Sequence, residues 1–266
     1  MIDYSRELKE QKQEVDRLVQ KTKKHKKAFE GLAEGNIRVS ASNGCPQYYF
    51  TEKGSGHEKY IPSKDKEFAR RLVQRDYEEK ALRKLESMQH NMDRFLKKYD
   101  AKILDHLYDN LCDGRKILVT PLSLPDDEYV KRWLESFPGE QNPYPEQGKY
   151  ETDQGEIVRS KSEKILADMF HKLKIPYRYE PKVTLDNYKS FYPDFACLNM
   201  RKRKTVYWEH LGLVSDADYA TKNYAKLESY ERNGILLGDT LLVSMETAEN
   251  PLDLALIRKK IETFLK

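Results

Sequence analysis

Cysteine is scarce in this chain: Cys45, Cys112 and Cys197 are the three in 266 residues, and no Cys-x-x-Cys pair occurs. So sparse and odd a set excludes a disulfide framework and a cysteine-built zinc site, and it fits a reducing compartment. Long apolar runs are missing too. Nothing approaches the roughly 18 consecutive apolar residues of a membrane span, and the mean hydropathy is −0.86. The first seven residues carry Asp3, Arg6 and Glu7, a start too charged for a signal peptide. The expectation is a cytoplasmic protein with no membrane contact. A dominant charge is also lacking: 48 Lys and Arg stand against 44 Asp and Glu, for a net +4. That balance excludes a histone-like binder and leaves local basic patches as the electrostatic feature to examine. Neither an internal repeat nor a low-complexity tract interrupts the chain.

What is present is charge: 35% of residues are Asp, Glu, Lys or Arg, so long solvated helices are expected. Residues 3–30 predict a helix with a narrow apolar stripe at Leu8, Val15, Leu18 and Val19 and lysines from Lys21 to Lys27. A β-meander is predicted over 36–61, with turns at Ser42–Pro46 and Gly54–Gly56. Pro62-Ser63 opens a long helix to about Tyr99, with Ser63 as its cap. Shorter helices follow near 103–111 and 126–136. Pro138-Gly139 through Pro145 breaks all periodicity, so the expected division is a helical region at 1–140 and a second domain at 150–266. From Val158 the order is helix (161–174), strand (177–184), turn (186–189), strand (192–198), basic turn (199–204), strand (205–210), helix (216–233), strand (240–244) and helix (251–265). That alternation predicts an α/β (α+β) domain with a mixed central sheet flanked by helices. Narrow stripes on long helices are easier to stabilise by pairing, so a homodimer through coiled-coil-like N-terminal helices is expected.

The chemistry concentrates in that second domain. Asp194 follows Pro193, which cannot donate to a ladder and so suits a strand start or edge. Glu209 interrupts the apolar strand Val206-Tyr207-Trp208, and a buried charge there needs a partner or a metal ion. Glu163 lies in the first turn of an amphipathic helix, where the helix dipole also favours an acid. Three carboxylates converging at a sheet edge are hard oxygen ligands of the kind a Mg²⁺-like cation takes, and such a cation beside a phosphodiester supports hydrolysis. His210 alternates to the opposite side of the strand from Glu209, which gives its ring a structural role.

With Pro193-Asp194-Phe195, Trp208-Glu209-His210-Leu211-Gly212 and the Ser162-Glu163 helix, the segment from about 155 to 235 resembles the PD-(D/E)XK nuclease superfamily, in the variant whose third motif reads Trp-Glu-His-Leu-Gly. The resemblance implies a restriction-endonuclease-like core and a nuclease dependent on Mg²⁺ or Mn²⁺, with DNA as its substrate. It also implies that Glu163, Asp194 and Glu209 are catalytic metal ligands, with the backbone carbonyl of His210 joining them. The chain departs from the pattern at Leu211, where a lysine is usual. Tyr219, Lys222, Lys226 and Tyr230, at spacings of three, four and four, share one face of the next helix. The resemblance makes Lys226 with Tyr230 the catalytic substitutes and Lys222 the reserve.

Arg159, Lys161, Lys222 and the turn Arg201-Lys202-Arg203-Lys204 are the candidate nucleic-acid contacts, since cationic side chains supply sequence-independent phosphate affinity. Tyr48, Tyr49 and Phe50 on one hairpin offer rings on which bases stack. Two other readings stand beside the nuclease: a nucleic-acid-binding module with a degenerate site, motivated by Leu211, and a helical assembly protein.

Overall fold

The computed structural model describes residues 1–42, 44–139, 149–184 and 190–266. The chain divides into two units, Tyr4–Asp100 and Met1–Asp3 with Ala101–Lys266.

In the unit Tyr4–Asp100, α1 (Ser5–His25) runs into a 3₁₀ turn at Lys26–Phe29, then β1 (Gly35–Ser42), β2 (Cys45–Glu52) and β3 (Glu58–Ile61) form an antiparallel sheet in that order. α2 (Lys66–Leu96) follows. The stripe residues Val15 and Val19 are buried, and α1 packs along α2. Gln89 on α2 donates to Asp16 on α1 at 2.7 Å, and Lys23 pairs with Glu86 at 2.8 Å. Val15 and Val19 of the expected stripe are thus covered within the chain, while Leu8 and Leu18 stay half-buried. Ser63 is not the cap of α2: it begins a 3₁₀ turn, and Asp65 holds the N-cap position without a side-chain bond. The sheet is mounted on α2 through Phe50 against Phe68, ring centroids 5.3 Å apart. Arg75 ties its first strand by donating to the carbonyls of Ala33 and Gly35.

In the other unit, α3 (Ile103–Asp109), α4 (Asp113–Lys116) and α5 (Asp126–Ser136) precede two short strands, β4 (Tyr150–Glu151) and β5 (Ile157–Val158). Then come α6 (Lys161–Lys172), β6 (Tyr177–Tyr179), β7 (Val183–Thr184), β8 (Ser190–Phe191), β9 (Phe195–Asn199), β10 (Lys204–Leu211), α7 (Ala217–Arg232), β11 (Leu241–Met245) and α8 (Leu254–Phe264). The architecture is mixed α/β. Its four-stranded sheet has the order β11-β10-β9-β6, with β10 and β11 parallel and the other pairs antiparallel. Leu166 and Phe170 of α6 and Ile257 and Ile261 of α8 cover one face, meeting Phe195, Cys197, Val206 and Trp208. Tyr230 and Leu227 of α7 join Leu211, Leu241 and Val243 on the other. Period-two alternation along β10 decides which side each residue serves.

Three expectations are corrected. The strand predicted over 177–184 is two strands, because Glu180 adopts φ 43° and Pro181 follows it with no N–H to donate. The strand predicted over 192–198 begins only at Phe195, since Pro193 interrupts the ladder. The turn expected at 186–189 lies outside the described residues, as does most of the Pro138–Pro145 boundary. The division between units falls at Asp100/Ala101 instead, and α5 belongs with the sheet that follows it. Trp133 packs with Ala196 and Leu198 and donates to Thr205 Oγ1 at 2.8 Å. Trp133→Ala should therefore cost the sheet-bearing unit about 3 kcal/mol or more, measurable as a lowered denaturation midpoint. A helix that belonged to the other unit would leave that midpoint unchanged.

Candidate active site

β9 and β10 pair antiparallel, and the register ends with Phe195 opposite Trp208. Carried one residue further, it sets Asp194 opposite Glu209, so both acids fall on the face that α7 covers. Asp194 Oδ2 accepts the backbone N–H of His210 at 2.5 Å, which seats its carboxylate against β10. Glu209 is 2% exposed, whereas Asp194 keeps some accessible surface.

α7 supplies the partners. Asp216 caps it through a bond from the Tyr219 N–H, and the helix then presents Tyr219, Lys226 and Tyr230 toward β10. Lys226 Nζ lies 2.7 Å from both Glu209 oxygens, and Tyr230 donates to Glu209 Oε1 at 2.8 Å. The Tyr219 hydroxyl accepts the Gly212 N–H at 3.2 Å. Lys222, in contrast, is exposed. A buried carboxylate gripped by one ammonium and one phenol is a satisfied charge.

Glu163 sits differently from the expectation. It completes a capping box with Ser160 at the start of α6. Its Oε2 accepts the N–H groups of Arg159 (2.9 Å) and Ser160 (3.4 Å) and the hydroxyl of Tyr179 (2.8 Å). Among the described residues no group of three or more His, Cys, Asp and Glu is gathered as a metal cage. The three-acid cage is thus not formed; Glu163 is held by its own helix start and acts on the other acids through its field.

That field shows in the titration of the pair. Burial, then the charge of Glu209 and more weakly that of Glu163, push the Asp194 carboxyl well above its ordinary range, with Lys226 and the His210 N–H opposing. Burial also raises Glu209, although Lys226 and Tyr230 pull it back. Burial alone would lower Lys226, but the charges of Glu209 and Asp194 raise it. One ammonium is therefore left to balance two carboxylates in a low-dielectric site, under the negative field of a third. The donors are hard oxygens, and Mg²⁺ commonly binds through one or two carboxylates with water and phosphate oxygens completing its shell. Asp194 and Glu209 fit that demand.

His210 points away from this pair. Its Nδ1 is 3.0 Å from Ser244 Oγ and its Nε2 is 3.2 Å from Glu246 Oε1. Ser162, the neighbour of Glu163, donates its hydroxyl to the Glu246 carboxylate at 2.8 Å, and Trp208 Nε1 donates to Ser244 at 2.9 Å. These contacts tie α6, β10 and the end of β11 together behind the acids, although His210 Nε2 makes no hydrogen bond of its own. Sequence reasoning missed Ser244, Glu246 and Tyr179; the local sign was a single polar residue, Ser244, inside the apolar run of β11.

The predicted nucleic-acid residues separate. Arg159 pairs with Glu180 at 2.7 Å. Arg203 is turned inward, donating to Ser123 Oγ, Leu124 O and Asp126 and stacking on Tyr129 at 4.7 Å. Arg201 donates to the carbonyls of Lys266 and Asp3, and Lys204 pairs with Asp239. The 201–204 turn is a structural staple because its guanidiniums donate to backbone carbonyls of segments far away in the chain. Lys161 and Lys202 are exposed.

An "uncharacterized protein MJ1519" of Methanocaldococcus jannaschii is 32% identical over 136 residues. The match covers 46% of this chain and 11% of that relative, so the chain spans a small part of its length. No family model matches the chain, and no solved structure matches it significantly. Among the described residues, no helix is long and apolar enough to cross a membrane.

Proposed function

We propose that the unit containing Ala101–Lys266 is a divalent-metal-dependent nuclease of the PD-(D/E)XK type that hydrolyses phosphodiester bonds of DNA. One observation carries the reading: buried Glu209, register-paired with Asp194, holds both Lys226 and Tyr230 within 2.8 Å. The resemblance made the same two residues of the next helix the substitutes for the lysine that Leu211 displaces. Asp194 and Glu209 are the residues to hold Mg²⁺ or Mn²⁺, with the His210 carbonyl beside them and Glu163 adding negative field. The ion, when bound, supplies an acidic water and charge neutralisation at phosphorus.

The protein's own groups do the rest. Lys226 has three donors, so it can keep Glu209 in place and still direct a proton toward a water or a phosphate oxygen. Tyr230 fixes the rotamer of Glu209 from the second side. The His210 N–H orients Asp194. The accessible edge of Asp194 is where a phosphate approaches, since Glu209 is closed off behind it. The sparse cysteines fit a reducing cytoplasm as the place of action.

Cleavage of supercoiled plasmid with Mg²⁺ or Mn²⁺, against the same reaction in EDTA, tests the proposal. Lys226→Met should slow metal-dependent cleavage by about 10²-fold, as loss of a positioned transition-state contact does, while calorimetric Mn²⁺ binding persists. If the wild type neither binds Mn²⁺ nor cuts, the degenerate binding module of the alternative reading takes its place.

A further inference from the structure

The charge of this protein is divided unevenly between its units. Residues 4–100 hold 23 Lys and Arg against 16 Asp and Glu, net +7, and the remaining residues hold 25 against 28, net −3. The unit with the acidic site is thus the negative one. The small helical unit carries all of the positive excess, although no chemistry has been assigned to it.

Its sheet has two unlike faces. Residues paired across an antiparallel ladder share a face, so the pairs Arg38–Tyr49 and Tyr49–Tyr60 form one row across all three strands. Phe50, one residue on, faces α2 and packs on Phe68. The row therefore lies on the face away from α2. The Arg38 guanidinium stands 4.5 Å over the Tyr49 ring, held there by two 2.7 Å bonds to Glu58. Tyr60 meets Tyr49 edge-on at 5.6 Å and is 53% exposed. An exposed Tyr beside an Arg-capped Tyr is a ready stacking surface whose rings lose little freedom on binding.

The row also leads toward cations. Asn36 and Thr51 pair across the same face, and Asn36, at the end of the sheet, also borders a cleft of about 750 Å³ against α2 whose walls carry seven Lys and Arg, Lys26 and Lys27 among them, against five Asp and Glu; Lys53 there is already paired with Glu34 at 2.8 Å. Flat rings next to spaced cations match the two repeating parts of a single strand, its unpaired bases and its phosphates. A duplex hides its base faces and cannot use the rings. We propose that the Arg38–Tyr49–Tyr60 face of the N-terminal unit binds single-stranded nucleic acid, with bases stacked on Tyr60 and phosphates led toward the Lys26–Lys27 cleft.

The test is fluorescence anisotropy of the full chain with a labelled mixed-sequence DNA strand and the matching duplex, in EDTA. Without metal no cleavage is needed, so failure of this proposal and failure of the nuclease reading are separate results. The single strand is expected to bind at least 10-fold tighter than the duplex. Tyr60→Ala should weaken it about 10-fold, the worth of one stacked base, while Tyr60→Phe keeps wild-type affinity. Lys26→Glu with Lys27→Glu should flatten the salt dependence by about two phosphate contacts. Equal affinity for strand and duplex would overturn the proposal, as would unchanged binding by Tyr60→Ala. Polyglutamate displacing the strand as well as unlabelled DNA does would reduce the unit to a nonspecific polyanion binder, and no binding at all would end the idea.

Discussion

Glu209→Gln should abolish metal-dependent cleavage, a loss on the order of 10³-fold or more if the carboxylate is an essential ligand. It should also destabilise the fold. The substitution keeps the size of the side chain but replaces one oxygen with an amide NH₂. That group must face either Lys226 Nζ or the Tyr230 hydroxyl, which both now donate to Glu209. Lys226, 2.7 Å from both carboxylate oxygens, then faces an N–H donor in place of one of them and loses its nearest countercharge. Removing one partner of a fully buried pair costs 3–5 kcal/mol, but the Lys226 side chain is 31% exposed, so water recovers part of that. A cost of about 1–3 kcal/mol follows, or a melting temperature lower by roughly 3–10 °C for a unit of this size. The double variant Glu209→Gln with Lys226→Met should melt higher than the single one, because the stranded cation is gone. Thermal melts of the set, beside plasmid cleavage, give the answer. A Glu209→Gln protein that cuts like the wild type would remove this pair from the catalytic centre.

Asp194→Asn should likewise abolish cleavage, but with the opposite effect on stability. The Asp194 carboxyl is pushed well above its ordinary value near 3.8, by burial first and then by the charge of Glu209. For a group whose folded-state pKa is raised, the contribution to stability is full below the unfolded pKa and is lost as pH rises through the folded one. At neutral pH the metal-free protein therefore either holds a proton on this acid or carries an unfavourable charge. Asparagine removes that cost and still accepts the His210 N–H. Metal-free Asp194→Asn should melt several degrees above metal-free wild type at pH 7–8, and the gap should shrink toward pH 4. Mn²⁺ should raise the wild-type melting temperature and leave the variant where it was. The difference between the two proteins isolates this group from every other titration. Metal-free melts that coincide across the whole range would mean Asp194 feels neither burial nor its neighbour.

The two acids were legible for different reasons. Glu209 announces itself as a charge inside an apolar strand, and Asp194 as an acid directly after a proline at a strand start. Helical spacing put Tyr219, Lys222, Lys226 and Tyr230 on one face, and only the resemblance singled out Lys226 with Tyr230. Glu163 was legible only by type and place. Whether an acid three residues after a serine turns back to cap its helix or forward to a ligand depends on Tyr179, sixteen residues away, whose hydroxyl holds it. Arg201 and Arg203 mislead for the same reason: a basic turn reads as solvated or phosphate-binding until Ser123, Leu124 and Asp126 fold beneath it. The unit boundary was hidden too, because α5 looks like part of the helical half until Trp133 reaches β9.

By itself the sequence determined the long helices, the central strands and the chemical types available in each, since these follow from the period of apolar residues and from proline and glycine along a few neighbouring positions. Tertiary structure alone decided which charges meet. The register of β9 on β10 set Asp194 beside Glu209, α7 delivered Lys226 and Tyr230 to them, and the capping box drew Glu163 aside. Pairing of that kind is a contest between partners far apart in the chain, and the free energy of each outcome depends on burial that no local pattern carries.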